Sequence, residues 1–364
     1  MDFSQLTTIR VGGPALALLS PTDPDQLVET ARRVWASGDD WILVGGGSNL
    51  VVADEGFDGT AIRVTTRGIE RLPGEAIRLR VQAGETWDDV VSYAVERGWR
   101  GIEALSGIPG SSGAAPMQNI GAYGQELLAS LTAVDFLDYL SGERRWLPAE
   151  ELNLGYRTSA LKQGRQGLVI ALELQLTASV DALSEPVGYA QLASALSVEV
   201  GQRAPLAEVR AAVLALRASK GMLLSPDDPD SVSAGSFFTN PIVSENFARA
   251  LPADAPRWPL AADQPPIVLP LGADPDAVLA PAAADERRVK LSAAWLIEHA
   301  GIRRGFSLPG SRAAISAKHT LALVNTGGAT AAEIGELARF VRWRVTNEYG
   351  IILQPEPVLV GVHL

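Results

Sequence analysis

The 364-residue chain has no cysteine, which excludes disulfides, thiolate nucleophiles and cysteine metal sites. Histidine is almost missing too. His299, His319 and His363 are the only three and no two of them pair on one helix face, so they read as ordinary surface or core residues and no metal site is expected. Positive charge is in short supply, with 31 Lys and Arg against 42 Asp and Glu, a formal net charge of −11 and no basic run. Nothing there can neutralise a phosphate backbone, so neither nucleic acid nor an anionic membrane surface is an expected partner. No apolar window approaches a membrane span, and Met1 to Arg10 lacks the basic start and apolar core of a signal peptide. The expectation is a cytoplasmic protein without membrane insertion. Any anionic small ligand must be met by a few placed cations and by main-chain N–H groups.

What is present is concentrated in one run, Ile108 to Gly124, with four glycines, two prolines and several small side chains. It follows neither a helical nor an alternating period, yet Ile108, Met117, Ile120 and Tyr123 make it too apolar for a solvated linker. Glycines let main chain approach a ligand closely, and successive N–H groups in such a loop form a concave anion site. A second loop of the same kind follows the apolar run Trp41 to Val44: Gly45-Gly46-Gly47-Ser48-Asn49, then Leu50-Val51-Val52. Two phosphate-cradling loops suggest a pyrophosphate. The dinucleotide fingerprint G-x-G-x-x-G is not met, because Leu50 stands where its third glycine belongs and Val51 to Gly56 reads as strand then turn; nor is there a P-loop.

Periodicity predicts a first helix capped by Thr22 or Asp23, with Pro24 in its first turn, Leu27, Val28, Ala31, Val34 and Trp35 on one face, and Gly38 past its end. A second starts near Thr86 and ends before Gly98. Strands are expected at Trp41–Val44, Ala61–Val64, Ile77–Val81, Ala133–Leu137 and Leu168–Leu176, mixed with helices without regular alternation, an α+β pattern. Further helices are expected at Pro205 to Lys220, at Lys290 to His299, and from Thr330, where Glu333 completes capping-box spacing. A final strand is expected at Ile351 to Gln354, leading into Pro355-Glu356-Pro357. From about Phe247 to Arg288, prolines 252, 256, 259, 265 and 266 interrupt an alanine- and aspartate-rich stretch that reads as an insertion or connector.

Several blocks, in order, resemble the UDP-N-acetylenolpyruvoylglucosamine reductases, the flavoenzymes of peptidoglycan precursor synthesis, in their larger, tyrosine-containing subtype. They are Thr8 to Gly13, Gly45 to Leu50, Ile108 to Gly124, Gly155 to Ser159, Ala234 to Pro241, Ala294 to Ile297, and Pro355-Glu356. The resemblance spans nearly the whole chain outside the proline-rich stretch. It implies an FAD-binding type-2 fold, similar to the vanillyl-alcohol-oxidase (PCMH) architecture: FAD subdomains at 1–70 and 71–218, with the FAD-binding PCMH-type region over about 10–179. A substrate-binding domain would follow at 219–350, carrying the insertion at about 247–288, and 351–364 would return to the active site.

The implied cofactor is noncovalent FAD, with NADPH as hydride donor and UDP-N-acetylglucosamine enolpyruvate as substrate, in a monomer. The implied flavin contacts are Gly45, Gly46, Gly47, Ser48, Asn49 and Leu50; Pro109, Gly110, Ser111, Gly113, Ala114, Asn119, Ile120, Gly121, Ala122, Tyr123 and Gly124; and Ile170. Taken alone, Ser236 is a turn serine, Arg157 a surface arginine and Glu356 a post-strand acid. The resemblance makes Arg157 the stabiliser of charge on the substrate carboxylate, Glu356 its partner and Ser236 the proton donor. It implies that Tyr189, Lys220, Asn240 and Lys290 meet the nucleotide sugar. Where relatives commonly carry an arginine two residues after the glutamate, this chain has Val358. Two other readings stay open at this stage: another noncovalent flavin oxidoreductase of the vanillyl-alcohol-oxidase type, and a non-catalytic nucleotide-sugar-binding regulator.

Overall fold

A computed structural model describes residues 1–260 and 287–364; Pro265 and Pro266, with most of the proline-rich stretch, lie outside the described residues. The first helix, Pro24–Ser37, is delimited as its sequence dictates. The Asp23 carboxylate accepts from the N–H groups of Asp25 and Gln26, and Gly38 closes the helix in the left-handed conformation. Its apolar stripe, Leu27, Val28, Ala31 and Val34, is buried against Ile62, Val64, Leu168 and Ile170. The helix joins Ala15–Leu19 to Trp41–Val44, the two outer strands of a parallel sheet, where a long crossover is required. Those strands form a three-stranded sheet with Phe57–Arg63 between Ala15–Leu19 and Trp41–Val44.

A larger antiparallel sheet runs in the order Arg144–Pro148, Leu131–Asp138, Gly167–Ala178, Ile77–Gln82, Ile69–Arg71. Alternation along Ile77–Gln82 turns Leu79 and Val81 into a core shared with Trp87, Val90 and Val91 of helix Trp87–Glu96. The other face presents Arg78 and Arg80, both paired with Glu173 of the central strand. The second helix therefore starts where the sequence places it, although the Thr86 side chain makes no cap bond; its hydroxyl instead accepts from Arg67.

In the C-terminal part, strands Ser233–Ser236, Ala322–Asn325 and Ala313–Ile315 form an antiparallel sheet covered by helix Ala331–Tyr349. Ile334, Leu337, Val341 and Val345 of this helix are wholly buried. The Thr330–Glu333 capping box is made on both sides, and Asp54 of the N-terminal half accepts from the next free amides, Ala331 N and Ala332 N, at 2.8 and 2.9 Å. Two expectations need correction. Lys290 does not open a helix: it lies in strand Arg288–Leu291, and the helix begins only at Ala293, after Ser292 caps it. Ile351 to Gln354 is extended but is not a strand; the last strand is Val358–Val360, paired in parallel with Leu50–Val52 directly after the triple-glycine loop. In both cases the apolar pattern is right, and a neighbour that can satisfy the backbone decides which residues pair.

Candidate active site

The two glycine loops meet each other. A Cβ on Gly46 would lie 2.6 Å from Gly110 Cα, and one on Gly45 would lie 2.3 Å from Ser111 Oγ. Ser48 Oγ fastens the loops by donating to Pro109 O at 3.0 Å. The backbone N–H groups of Gly45, Gly46, Gly47, Ser48, Asn49, Gly110 and Ser111 donate to no acceptor among the described residues. Amides left without a partner at one place form a ready anion cradle, and two loops of them suit a diphosphate.

Beyond the cradle the long loop is tightly wound. Ser112–Gln118 is a 3-10 helix, Gly113 N donates to Ala83 O at 2.7 Å, and Asn119 turns left-handed with φ 45°. Buried Asn119 donates to Glu126 Oε2 and Gly155 O and accepts from Leu128 N. A hairpin, Gly121–Ala122 with Gln125–Glu126, then carries Tyr123 and Gly124 on its tip. Ala114 and Ile120 serve the packing of this loop: a Cβ on Gly45 would meet Ala114 at 3.4 Å, and Ile120 lies against the core of the large sheet. Leu50 is buried beside Phe3 and Val52, and Ile170 is 1 % exposed, with its carbonyl taken by Ala83 N.

The end of the chain delivers Glu356 to the mouth of this loop. Val358 N bonds Asn49 O at 2.9 Å, Glu356 N bonds Phe237 O at 2.9 Å, and Pro355 bridges Phe238. Glu356 thus sits against the segment that holds Ser236, while Phe237 and Phe238, which follow the serine, are buried in the C-terminal core. Glu356 Oε1 stands 3.2 Å from Arg157 Nε and accepts from Gln118 Nε2 at 3.0 Å. Burial pushes the Glu356 carboxyl above its ordinary value, against the opposing pull of Arg157, Lys162 and the Gln118 bond. Arg157, at φ 52°, also donates to Gly121 O at 2.7 Å, tying the hairpin to the glutamate.

The remaining candidates fall on two flanks. On one, the Lys290 ammonium lies 4.9 Å from the Tyr156 ring and 5.7 Å from the Trp258 ring, and Asn240 stands near the Tyr156 phenol. Burial raises the Tyr156 pKa. Asn240 Oδ1 is engaged by Ala293 N at 2.9 Å, leaving its amide nitrogen for other partners. On the other flank, Lys220 Nζ lies 5.5 Å from the Tyr123 ring and donates to Gln191 at 2.7 Å, while Tyr189, 45 % exposed, packs edge-on against Tyr123. Sequence reasoning missed Gln118, Lys162, Tyr156 and Trp258. Gln118 and Tyr156 stand inside the quoted motifs and Lys162 five residues past Arg157, but no local pattern distinguishes a glutamine that braces a glutamate from one in solvent.

Comparisons with known proteins place the chain in a family. Residues 15–147 fit a family model described as an FAD binding domain, and residues 227–360 fit the UDP-N-acetylenolpyruvoylglucosamine reductase C-terminal domain. The chain is 61% identical to a UDP-N-acetylenolpyruvoylglucosamine reductase of Leifsonia xyli, over 99% of this chain and 98% of that protein. The chain belongs to the UDP-N-acetylenolpyruvoylglucosamine reductase family. A second relative of the same name, from Saccharopolyspora erythraea, is 47% identical over 98% of this chain and 94% of its own length. The crystal structure of the reductase from Thermus caldophilus superposes with a TM-score of 0.63 at 26% identity, covering 99% of this chain and 97% of that one. A cradle of seven N–H groups without partners among the described residues, between loops that admit no Cβ, is chemically suited to the diphosphate of FAD. Among the described residues no helix is long and apolar enough to cross a membrane.

Proposed function

We propose that the chain reduces UDP-N-acetylglucosamine enolpyruvate to UDP-N-acetylmuramate with NADPH, as a flavoprotein oxidoreductase of peptidoglycan precursor synthesis. The observation that carries this reading is the convergence of Arg157, Glu356 and the Ser236 segment beside an empty-handed amide cradle. Bound FAD supplies hydride transfer, from NADPH and then to C3 of the enolpyruvyl group. The residues do the rest. Arg157 offers a planar fork to the substrate carboxylate, beside the carbon where negative charge builds. Glu356, braced by Gln118, holds that arginine in place through its Oε1. Ser236 gives a proton to C2, leaving the lactyl ether.

Lys220 and Tyr189 on one flank, with Lys290 and Asn240 on the other, receive the nucleotide sugar. Arg157, Lys162, Lys220 and Lys290 gather around the site of a chain whose net charge is −11, so the positive potential is local and draws in anionic substrates without making the surface basic. FAD is held noncovalently, because no cysteine exists and all three histidines follow residue 298. The subdivision at about residues 70 and 218 belongs to the same reading, as do a monomeric state and a cytoplasmic setting. The test is oxidation of NADPH by purified yellow protein, dependent on the enolpyruvyl substrate and yielding a product two mass units heavier. Substrate-independent oxidation alone would favour a different flavin oxidoreductase.

A further inference from the structure

Helix Leu206–Ser219 packs against Tyr123 of the flavin loop and also holds the residue at the loop's base, Gly107. Gly107, directly ahead of Ile108, donates its N–H to Asp88 Oδ1 at 2.6 Å and offers its carbonyl to Arg217 Nε at 2.9 Å. Asp88 is itself held by both terminal nitrogens of Arg210, at 2.7 and 2.8 Å. Arg210 and Arg217 are two helical turns apart and so share a face, which makes the hold on Gly107 a two-point clamp from one rigid element. The guanidinium of Arg217 also donates through Nη2 to Met222 O at 3.1 Å, in the turn just after Lys220. One side chain therefore bonds the base of the flavin loop and the end of the helix that presents the lysine. The fit is close: at Gly107, φ +69°, a Cβ would lie 2.6 Å from Leu223 Cδ2, 2.9 Å from Leu214 Cδ2 and 3.2 Å from Arg217 Cδ. Among the described residues Arg217 has no carboxylate at ion-pair distance, so carbonyl oxygens are what hold its charge.

We infer that Arg217 is a positioning residue that couples the flavin loop to the nucleotide-sugar site, so that a ligand held by Lys220 slows FAD release. The inference rests on the proposed placement of Lys220 against the nucleotide sugar. The cradle depends on how the loops carrying Gly46 and Gly110 are set against each other, since a Cβ on Gly46 would lie 2.6 Å from Gly110 Cα, and the second loop is rooted at Gly107. A ligand bridging Lys220, Gln191 and Tyr123 fixes the helix end, and through Arg217 that fixes the root of the loop. Coupling of binding free energies is reciprocal, so FAD tightens the ligand site by the same factor.

The test uses holoenzyme and UDP-N-acetylglucosamine, which lacks the enolpyruvyl group and so reports the clamp without reduction. FAD release after dilution is followed by the recovery of free-flavin fluorescence, with and without saturating ligand, and calorimetry measures ligand binding in parallel. In the unaltered protein the ligand is expected to slow release about tenfold, within the usual span of coupling factors. In Arg217→Met the two rates should agree within about twofold. Arg217→Lys keeps the charge but reaches one carbonyl instead of two, so it should remain folded and lose most of the ligand effect. Bound ligand that fails to slow release in the unaltered protein overturns the coupling, and so does a full effect in either variant. Absence of ligand binding to the unaltered holoenzyme would instead overturn the placement of Lys220, and the coupling with it.

Discussion

Arg157 Nε stands 3.2 Å from Glu356 Oε1, although one residue follows the flavin loop and the other closes the chain. Gln118 and Asn49 complete a ring around the pair: Gln118 Nε2 donates to Glu356 Oε1, Asn49 Nδ2 donates to Gln118 Oε1 at 3.0 Å, and the same Asn49 nitrogen reaches Glu356 O at 3.2 Å. Both glycine loops and the chain end thus set the position of one carboxyl. In the proposed function, this ring ties the flavin cradle to the reacting centre.

The glutamate is kept at a cost to stability, and the sign can be measured. Its pKa is raised above 4.5 in the folded chain, mainly by burial. The folded state then holds the proton more tightly than the unfolded state, so the group favours folding below the ordinary carboxylate value and loses that contribution as pH rises through the folded value. At neutral pH the buried carboxylate is a burden. Glu356→Gln is expected to raise the melting temperature at pH 7.5, with the gain shrinking toward pH 4, while kcat falls by about 10²–10³-fold through the loosened Arg157. A variant less stable than the parent at pH 7.5 would contradict this account of the site.

Gly46→Ala should release FAD without unfolding the chain. Its Cβ would meet Gly110 Cα at 2.6 Å and Ser111 N at 3.1 Å, both main chain, so no side chain can swing aside. Overpacking of this kind costs about 1–3 kcal/mol, which corresponds to roughly a 5- to 150-fold weaker FAD affinity if it is confined to the closed loops. Flavin content after dilution, set beside circular dichroism, checks it. A fully yellow, tight-binding variant would show that the loops do not need to touch.

Tyr189→Phe should raise KM several-fold more than it lowers kcat. The ring is 45 % exposed and rests on Tyr123, whose ring Lys220 also approaches, and in the proposed function it meets the nucleotide sugar without taking part in bond making. Steady-state kinetics over a range of substrate concentrations decides it, and a kcat defect at unchanged KM would place the tyrosine in the chemistry.

Local signals were the readable part of this chain. Asp23 with Gly38, and Thr330 with Glu333, mark helix ends because capping is settled within a few residues. The glycine loops were legible as ligand loops, but their mutual contact was not, since Gly46 and Gly110 are far apart in sequence. The same limit explains Lys290 and the chain end: both segments carry apolar patterns open to more than one assignment, and partners at Ile242–Ser244 and Leu50–Val52 decide which residues pair. Arg157, Ser236 and Glu356 stood out by resemblance to a family, and only the fold supplies Gln118 and Asn49 as the braces that make Glu356 a fixed group.

The most direct test is single-turnover reoxidation of Ser236→Ala. The variant is reduced anaerobically with NADPH, then mixed with UDP-N-acetylglucosamine enolpyruvate while the flavin absorbance is followed. If Ser236 supplies the C2 proton, reduction by NADPH proceeds at the parent rate, substrate Kd changes little, and reoxidation slows by about 10²–10⁴-fold. Ser236→Cys, a stronger acid, should recover part of that rate. Reoxidation of the alanine variant at close to the parent rate would contradict the assignment and move the proton to Glu356.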